Sequence, residues 1–219
     1  MKKTIRLVKK YLKNKTPKSK VLFIIDAGHG GIHPETSKYV TPGKRMVKDG
    51  VVFYEGVNNR DNVKRIMQGL KTAGLEAVEL CPTWRDIPLS NRCKQANEIG
   101  KNRECVLISI HSNAAGNGKE WHSATGIDTF VYTKASNKSK TLAKITQNRL
   151  MSYLGHLTKD RGVKARDFAI LRATNMPAIL VEGGFHTNEN EVKLMLSEEW
   201  KQEFTKAIVS ACVQYNNSL

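Results

Sequence analysis

Two histidines and two glutamates stand where apolar runs of this sequence give out. His29 follows "VLFIIDAG" (21–28), Glu55 follows "VVFY" (51–54), His111 follows "CVLISI" (105–110) and Glu182 follows "AILV" (178–181). Each run reads as a short strand buried on both faces. In an open parallel sheet the carboxyl ends of the strands face one crevice, where ligands bind. Four ionisable side chains from distant segments would then converge. Two neutral imidazoles and a carboxylate form a common catalytic zinc set that leaves one coordination position open for water. Glu182 adds a second signal. It sits between "AILV" and "GGF", where a carboxylate is costly unless it is paired, liganded or shifted in pKa.

Plainer readings compete with this one. A single histidine after a strand commonly caps it or faces solvent, and Glu55 could be a helix N-terminal charge favoured by the macrodipole. The glycines of "FIIDAGHGG" invite a third reading, a loop that cradles phosphate. That fails on spacing, because a dinucleotide fingerprint needs G-x-G-x-x-G opening into a helix and His33 stands where the third glycine belongs. Pro34 and polar residues follow, with no Lys-Ser/Thr pair. His33, His122, His156 and His186 receive no role, although His33 and His186 lie closest in sequence to the candidate site.

The segments that position these groups alternate between strand and helix character. "VNNRDNVKRIMQGLKTAG" carries Val63, Ile66, Met67 and Leu70 at helical spacing, with Gly74 as the stop. "LEAVEL" (75–80) reads as a strand, and "LSNRCKQANEIG" (89–100) as a helix with Ser90 as its N-cap. "IDTFVYT" (127–133) alternates like a strand, and residues 139–155 are helical. Trp200, Phe204, Ile208 and Cys212 recur every four residues on an amphipathic closing helix. Residues 33–50 hold two prolines and read as a loop or inserted surface. The pattern predicts one α/β domain over 21–219, with a mostly parallel central sheet of about six strands flanked by helices.

The chain of 219 residues carries 36 Lys and Arg against 20 Asp and Glu, a formal charge of +16. Such a surface attracts polyanions: nucleic acid, anionic lipid or the phosphate-bearing polymers of a bacterial wall. Residues 1–20 hold nine of the basic residues and no acid, and read as a basic arm or short amphipathic helix. Charge interrupts every apolar run there, so no signal-peptide core is expected. No stretch approaches the length of a membrane span. Cys81, Cys93, Cys105 and Cys212 form no C-x-x-C pair; Cys105 and Cys212 read as core residues.

Four motifs, "IDAGHGG", "YEGVNNRDNVKRI", "ISIHSNA" and "ILRATNMPAILVEGGFHTNENEVKLM", occur in one order. Together they resemble the zinc-dependent N-acetylmuramoyl-L-alanine amidases of the amidase-3 family, over about residues 21–216. The resemblance implies one zinc ion held by His29, Glu55 and His111, with Glu182 as catalytic acid/base. It implies hydrolysis of peptidoglycan at the amide between N-acetylmuramic acid and L-alanine. Asn113 and Arg172 are substrate-contact candidates by resemblance and position. The sequence departs from the family in the long gap between His29 and Glu55, and in "GFHTN", where an aliphatic residue and a serine are usual after the phenylalanine.

The expectation is therefore a monomeric lytic amidase, of phage-endolysin type, made without a leader and acting at the wall after separate release. Its basic surface would hold anionic wall polymers. Three rivals are a catalytically dead wall-binding module, a nucleic-acid binder, and a different metallohydrolase on the same scaffold, since fold alone does not fix substrate. A dead module would have lost a ligand, whereas all four positions are filled. A nucleic-acid binder is disfavoured by the 7% aromatic content and by an arm whose one aromatic residue is Tyr11.

Overall fold

The computed structural model describes residues 19–116 and 118–219. The basic arm expected over 1–20 lies almost wholly outside them. Six strands form the main sheet in the order β4-β1-β5-β8-β6-β7. They are β1 (Leu22–Ala27), β4 (Ala77–Glu79), β5 (Cys105–Asn113), β6 (Ile127–Val131), β7 (Asp160–Ala165) and β8 (Ala178–Phe185). β4, β1, β5 and β8 run parallel. β6 joins β8 antiparallel and carries β7 parallel to itself. The expected fold class and strand number hold.

The membership of the sheet differs from the sequence reading in two respects. β3 (Val51–Tyr54) pairs antiparallel with β2 (Arg45–Lys48) in a separate hairpin. Residues 33–50 are therefore an ordered excursion, closed by a bridge between Ile32 and Tyr39. Glu55 reaches the site as the first residue of helix α1 (Glu55–Thr72), which leaves that hairpin directly. β7 was not expected: "DRGVKA" has too little apolar character to read as a strand, and as an edge it needs little.

Alternation along each strand explains the layers. Phe23, Ile25, Val106, Ile108, Ile110, Ile179 and Val181 face one side. There α1, α3 (Asn137–Leu154) and α6 (Glu198–Ser218) cover them with Val63, Ile66, Leu142, Leu150, Trp200, Phe204 and Ile208. The opposite residues Leu22, Ile24, Leu107, Ala178, Leu180 and Phe130 meet a thinner layer. It consists of α2 (Leu89–Ile99) and the short α4 (Ala169–Arg172), which contribute Cys93, Ala96, Ile170 and Leu171. This asymmetry matters for the site. The thin layer leaves the upper row of side chains on its face uncovered.

Caps set the helix limits. Ser136 and Ser197 accept from the backbone at Ser139 and Trp200, starting α3 and α6. Asn188 does the same for α5 (Glu189–Leu196) at Glu191. Ser90 does not cap α2 as expected; the helix begins after Pro88, whose fixed φ suits an entry without a side-chain cap. All four cysteines are buried thiols, none of them bridged. Among the described residues no helix is long and apolar enough to cross a membrane.

Phe204 lies 1% exposed, at the centre of the thick layer and against Gly183 beside the site. Phe204→Ala is expected to cost about 3–5 kcal/mol. A lowered urea midpoint at unchanged slope would register it.

Candidate active site

His29, Glu55, His111 and Glu182 meet at one end of the sheet, each delivered differently. His29 stands just past β1 with φ of 65°, in the left-handed region that L-residues seldom enter. Two guanidinium groups hold that backbone. Arg60 Nη2 and Arg92 Nη2 donate to the His29 carbonyl at 2.7 and 2.8 Å. Arg92 comes from α2, is 2% exposed, and also donates to Asp26 Oδ1 at 2.7 Å and to the Ala27 carbonyl at 2.6 Å. Asp26 Oδ2 accepts in turn from Ser109 on β5 at 2.7 Å. One buried ion pair thus ties the strand before His29 to the strand that carries His111.

The glycines that raised the phosphate-loop question have steric duties. A Cβ on Gly28 would fall 2.2 Å from the His111 ring, and one on Gly56 would fall 1.8 Å from the Gly30 carbonyl. Gly28 makes room for the imidazole. Gly56 lets the start of α1 press against the "GHGG" loop, bringing Glu55 within reach of both histidines.

Glu55 Oε1 lies 3.3 Å from His29 Nε2 and 3.1 Å from His111 Nδ1, and accepts from the Ser112 backbone N–H at 3.2 Å. The two rings meet edge to face with centroids 5.0 Å apart. One donor atom from each of the three residues lies within 4.8 Å of the others, a group able to hold a metal ion. Burial alone would push the Glu55 carboxyl up, but the His111 and His29 imidazoles outweigh it and hold the carboxyl well below its usual range. Burial likewise opposes charge on His111, yet the Glu55 carboxylate prevails and raises that imidazole.

Glu182 is the register partner of His111 across β5 and β8. On a parallel pair this places both side chains on the same, thinly covered face. Its Oε2 is buried without a hydrogen-bond partner, and burial pushes its pKa up to about 7. A cleft of about 600 Å³ opens beside it, lined by His29, Lys44, Asp86, His111 and Glu182. Its apolar wall is built from Ile87, Pro88 and Leu89 at the start of α2 and Phe168, Ala169 and Ile170 at the start of α4.

The structure does not bring Asn113 or Arg172 into this lining. Asn113 follows a register shift in β5 and donates to buried Asp128 at 3.3 Å, while its Oδ1 accepts from the Ala114 backbone. Arg172 ion-pairs with Asp167 and lines a separate depression with Lys138 and Asn175. Of the histidines without a role, His186 is buried against Ser112, 3.0 Å from its Oγ, one residue from the site. His33 accepts from the backbone of Glu35 and Thr36 and packs on Trp84. Sequence reading missed Arg60, Arg92 and Asp26. The one available signal was an arginine on the apolar side of a helix, beside Cys93 and Ala96.

Fold and site together describe a hydrolase-like α/β domain with a metal-competent trio beside an isolated acid. The sequence profile of the N-acetylmuramoyl-L-alanine amidases matches residues 23–214. The chain belongs to the N-acetylmuramoyl-L-alanine amidase family. It is 32% identical to an N-acetylmuramoyl-L-alanine amidase of Clostridium difficile 630, whose crystal structure superposes with a TM-score of 0.77 over 92% of this chain and 99% of that one. It is 31% identical to the uncharacterized protein YqiI of Bacillus subtilis, over 87% of this chain and 82% of that protein. The endolysin of Bacillus phage SPP1 is 28% identical over 80% of this chain, which spans 59% of the phage protein's length.

A folded pKa near 7, above the ordinary 4.5, means that ionising Glu182 costs stability. The cost begins as pH rises past the unfolded value and is complete above about 7. In metal-free protein at pH 8, Glu182→Gln is therefore expected to be more stable than wild type by up to about 3 kcal/mol. The gap should close below pH 4.5. Thermal unfolding across this range checks it.

Proposed function

We propose that in this peptidoglycan amidase His29, Glu55 and His111 hold one zinc ion and Glu182 is the catalytic acid/base. The convergence of three donor atoms within 4.8 Å beside Glu182 carries the reading. The donor set suits zinc in a catalytic rather than structural site: two imidazoles and one carboxylate, with no fourth ligand grouped with them among the described residues. Gly28, whose added Cβ would strike the His111 ring, keeps the space such a ligand needs.

When bound, zinc supplies Lewis acidity that favours water ionisation and stabilises developing negative charge on the scissile carbonyl. Glu182 takes the proton from the attacking water and delivers it to the departing L-alanine nitrogen. The bond broken is the amide joining the lactyl group of N-acetylmuramic acid to that nitrogen. A carboxyl whose proton affinity is raised toward neutrality can run both transfers at physiological pH. The apolar wall of Ile87, Pro88 and Phe168 limits water around the acid and keeps that affinity high.

Residues 21–219 act as the catalytic domain in this reading, and the likeness to the SPP1 endolysin supports a lytic setting. The +16 charge adds adhesion to anionic wall polymers.

Two experiments test this. Zinc content and products are measured first, after digestion of purified peptidoglycan. New L-alanine amines with free lactyl carboxyls are expected; new reducing sugar ends would overturn the proposal. Glu182→Gln should keep zinc and lose about 100-fold or more in turnover, whereas His111→Ala should lose both. Second, retention on purified walls should fall steeply between low and high salt. Equal retention at both would remove the electrostatic part.

A further inference from the structure

The cleft carries a charge that the proposed mechanism does not use. Its charged residues besides the site itself are Asp26, Lys44, Asp86 and Arg92. Arg92 is spent on Asp26 and on backbone carbonyls, and lies 3.6 Å from Asp86. Asp86 also accepts from Thr41 at 2.7 Å. Lys44 is different. It is exposed and, among the described residues, its ammonium forms no ion pair or hydrogen bond.

Its position is nevertheless fixed. The Glu55 backbone N–H donates to the Lys44 carbonyl at 3.0 Å, so the residue that begins α1 is joined to the one that precedes β2. The hairpin beyond is held by buried Met46 and Phe53. At its tip, Lys48 pairs with Glu120 and Asp49 accepts from Trp121 at 2.8 Å. On the other side Tyr39 stacks on Tyr54 with centroids 4.5 Å apart, and its hydroxyl accepts from Gly56. The inserted segment thus delivers a cation to the same cleft that Ile87, Pro88 and Phe168 line.

We propose that Lys44 is a specificity-determining residue that binds a carboxylate of the stem peptide, that of the second residue from the scissile amide. The inference rests on the amidase reading above. An extended peptide advances about 3.5 Å per residue, so this carboxylate lies about 7 Å along the chain from the amide. Lys44 lines the same cleft as Glu182, near enough for its charge to act on that carboxyl. The apolar lining residues Ile87, Pro88, Leu89, Phe168 and Ile170 offer no side-chain polar group for the same carboxylate. An amidated second residue is neutral and would lose the attraction.

The test uses the zinc-loaded full chain and two soluble muropeptides that differ in one group, a free or an amidated carboxyl on the second stem residue. Wild type is expected to favour the free acid by about five- to tenfold in kcat/KM, carried mainly by KM. Lys44→Met should bring the ratio near one, and Lys44→Arg should keep it. The ratio isolates binding, because both substrates meet the same Glu182 and any change in its proton affinity cancels. A Lys44→Met protein that keeps the wild-type ratio, or a wild type with no preference, overturns the assignment and leaves the amidase reading intact. A wild type that opens neither substrate overturns both.

Discussion

A carboxylate with almost no access to water, Glu55, sits between two imidazoles, and the rest of the site is arranged to make that tolerable. Buried charge is costly unless paired and hydrogen-bonded. Here His29, His111 and the Ser112 backbone N–H supply the pairing. The requirement reaches outward. Glu55 arrives there because α1 starts at that residue, because Gly56 admits the helix against the loop, and because the hairpin carbonyl of Lys44 fixes its N–H.

A second buried pair supports the first. Arg92 and Asp26 touch neither Glu55 nor Glu182, yet they fix the turn that presents His29 and anchor it to the strand of His111. Removing one partner would strand a charge in a dry layer, a loss on the order of 3–5 kcal/mol. Geometry at the site is therefore bought with an ion pair outside it. Glu182 is treated in the opposite way: its Oε2 has no hydrogen-bond partner, and burial outweighs the opposing charges of His111 and Lys44, so its proton affinity rises. Two acids beside the same histidine thereby have their proton affinities driven apart by their surroundings.

Much of this was legible in the residues. Apolar runs placed His29 just past β1, but His111 and Glu182 lie inside β5 and β8, whose pairing continues through polar and glycine residues to Asn113 and Phe185. The three strands are neighbours in the parallel sheet. The resemblance of four ordered motifs pointed to the family that the profile match establishes. Less was legible where tertiary contacts decide. "VVFY" looks like any sheet strand, and only its pairing with Arg45–Lys48 sets it apart. "DRGVKA" joins the sheet as an edge without an apolar pattern, because Asp128 draws Arg161 and Lys164 onto it. Arg92 was invisible as a partner, since Asp26 lies 66 residues away and no local pattern links them. Ser90 had the right type for a cap, but Pro88 had already set the helix entry.

The four cysteines have a consequence beyond packing. Each is a sequestered thiol, and burial raises the pKa of all four, so little reactive thiolate forms. No covalent staple holds the domain together, and none is waiting to form. Glutathione, peroxide or an oxidising milieu would find neither a bridge to cut nor a ready nucleophile to attack. The same fold can therefore persist unaltered on both sides of a redox boundary.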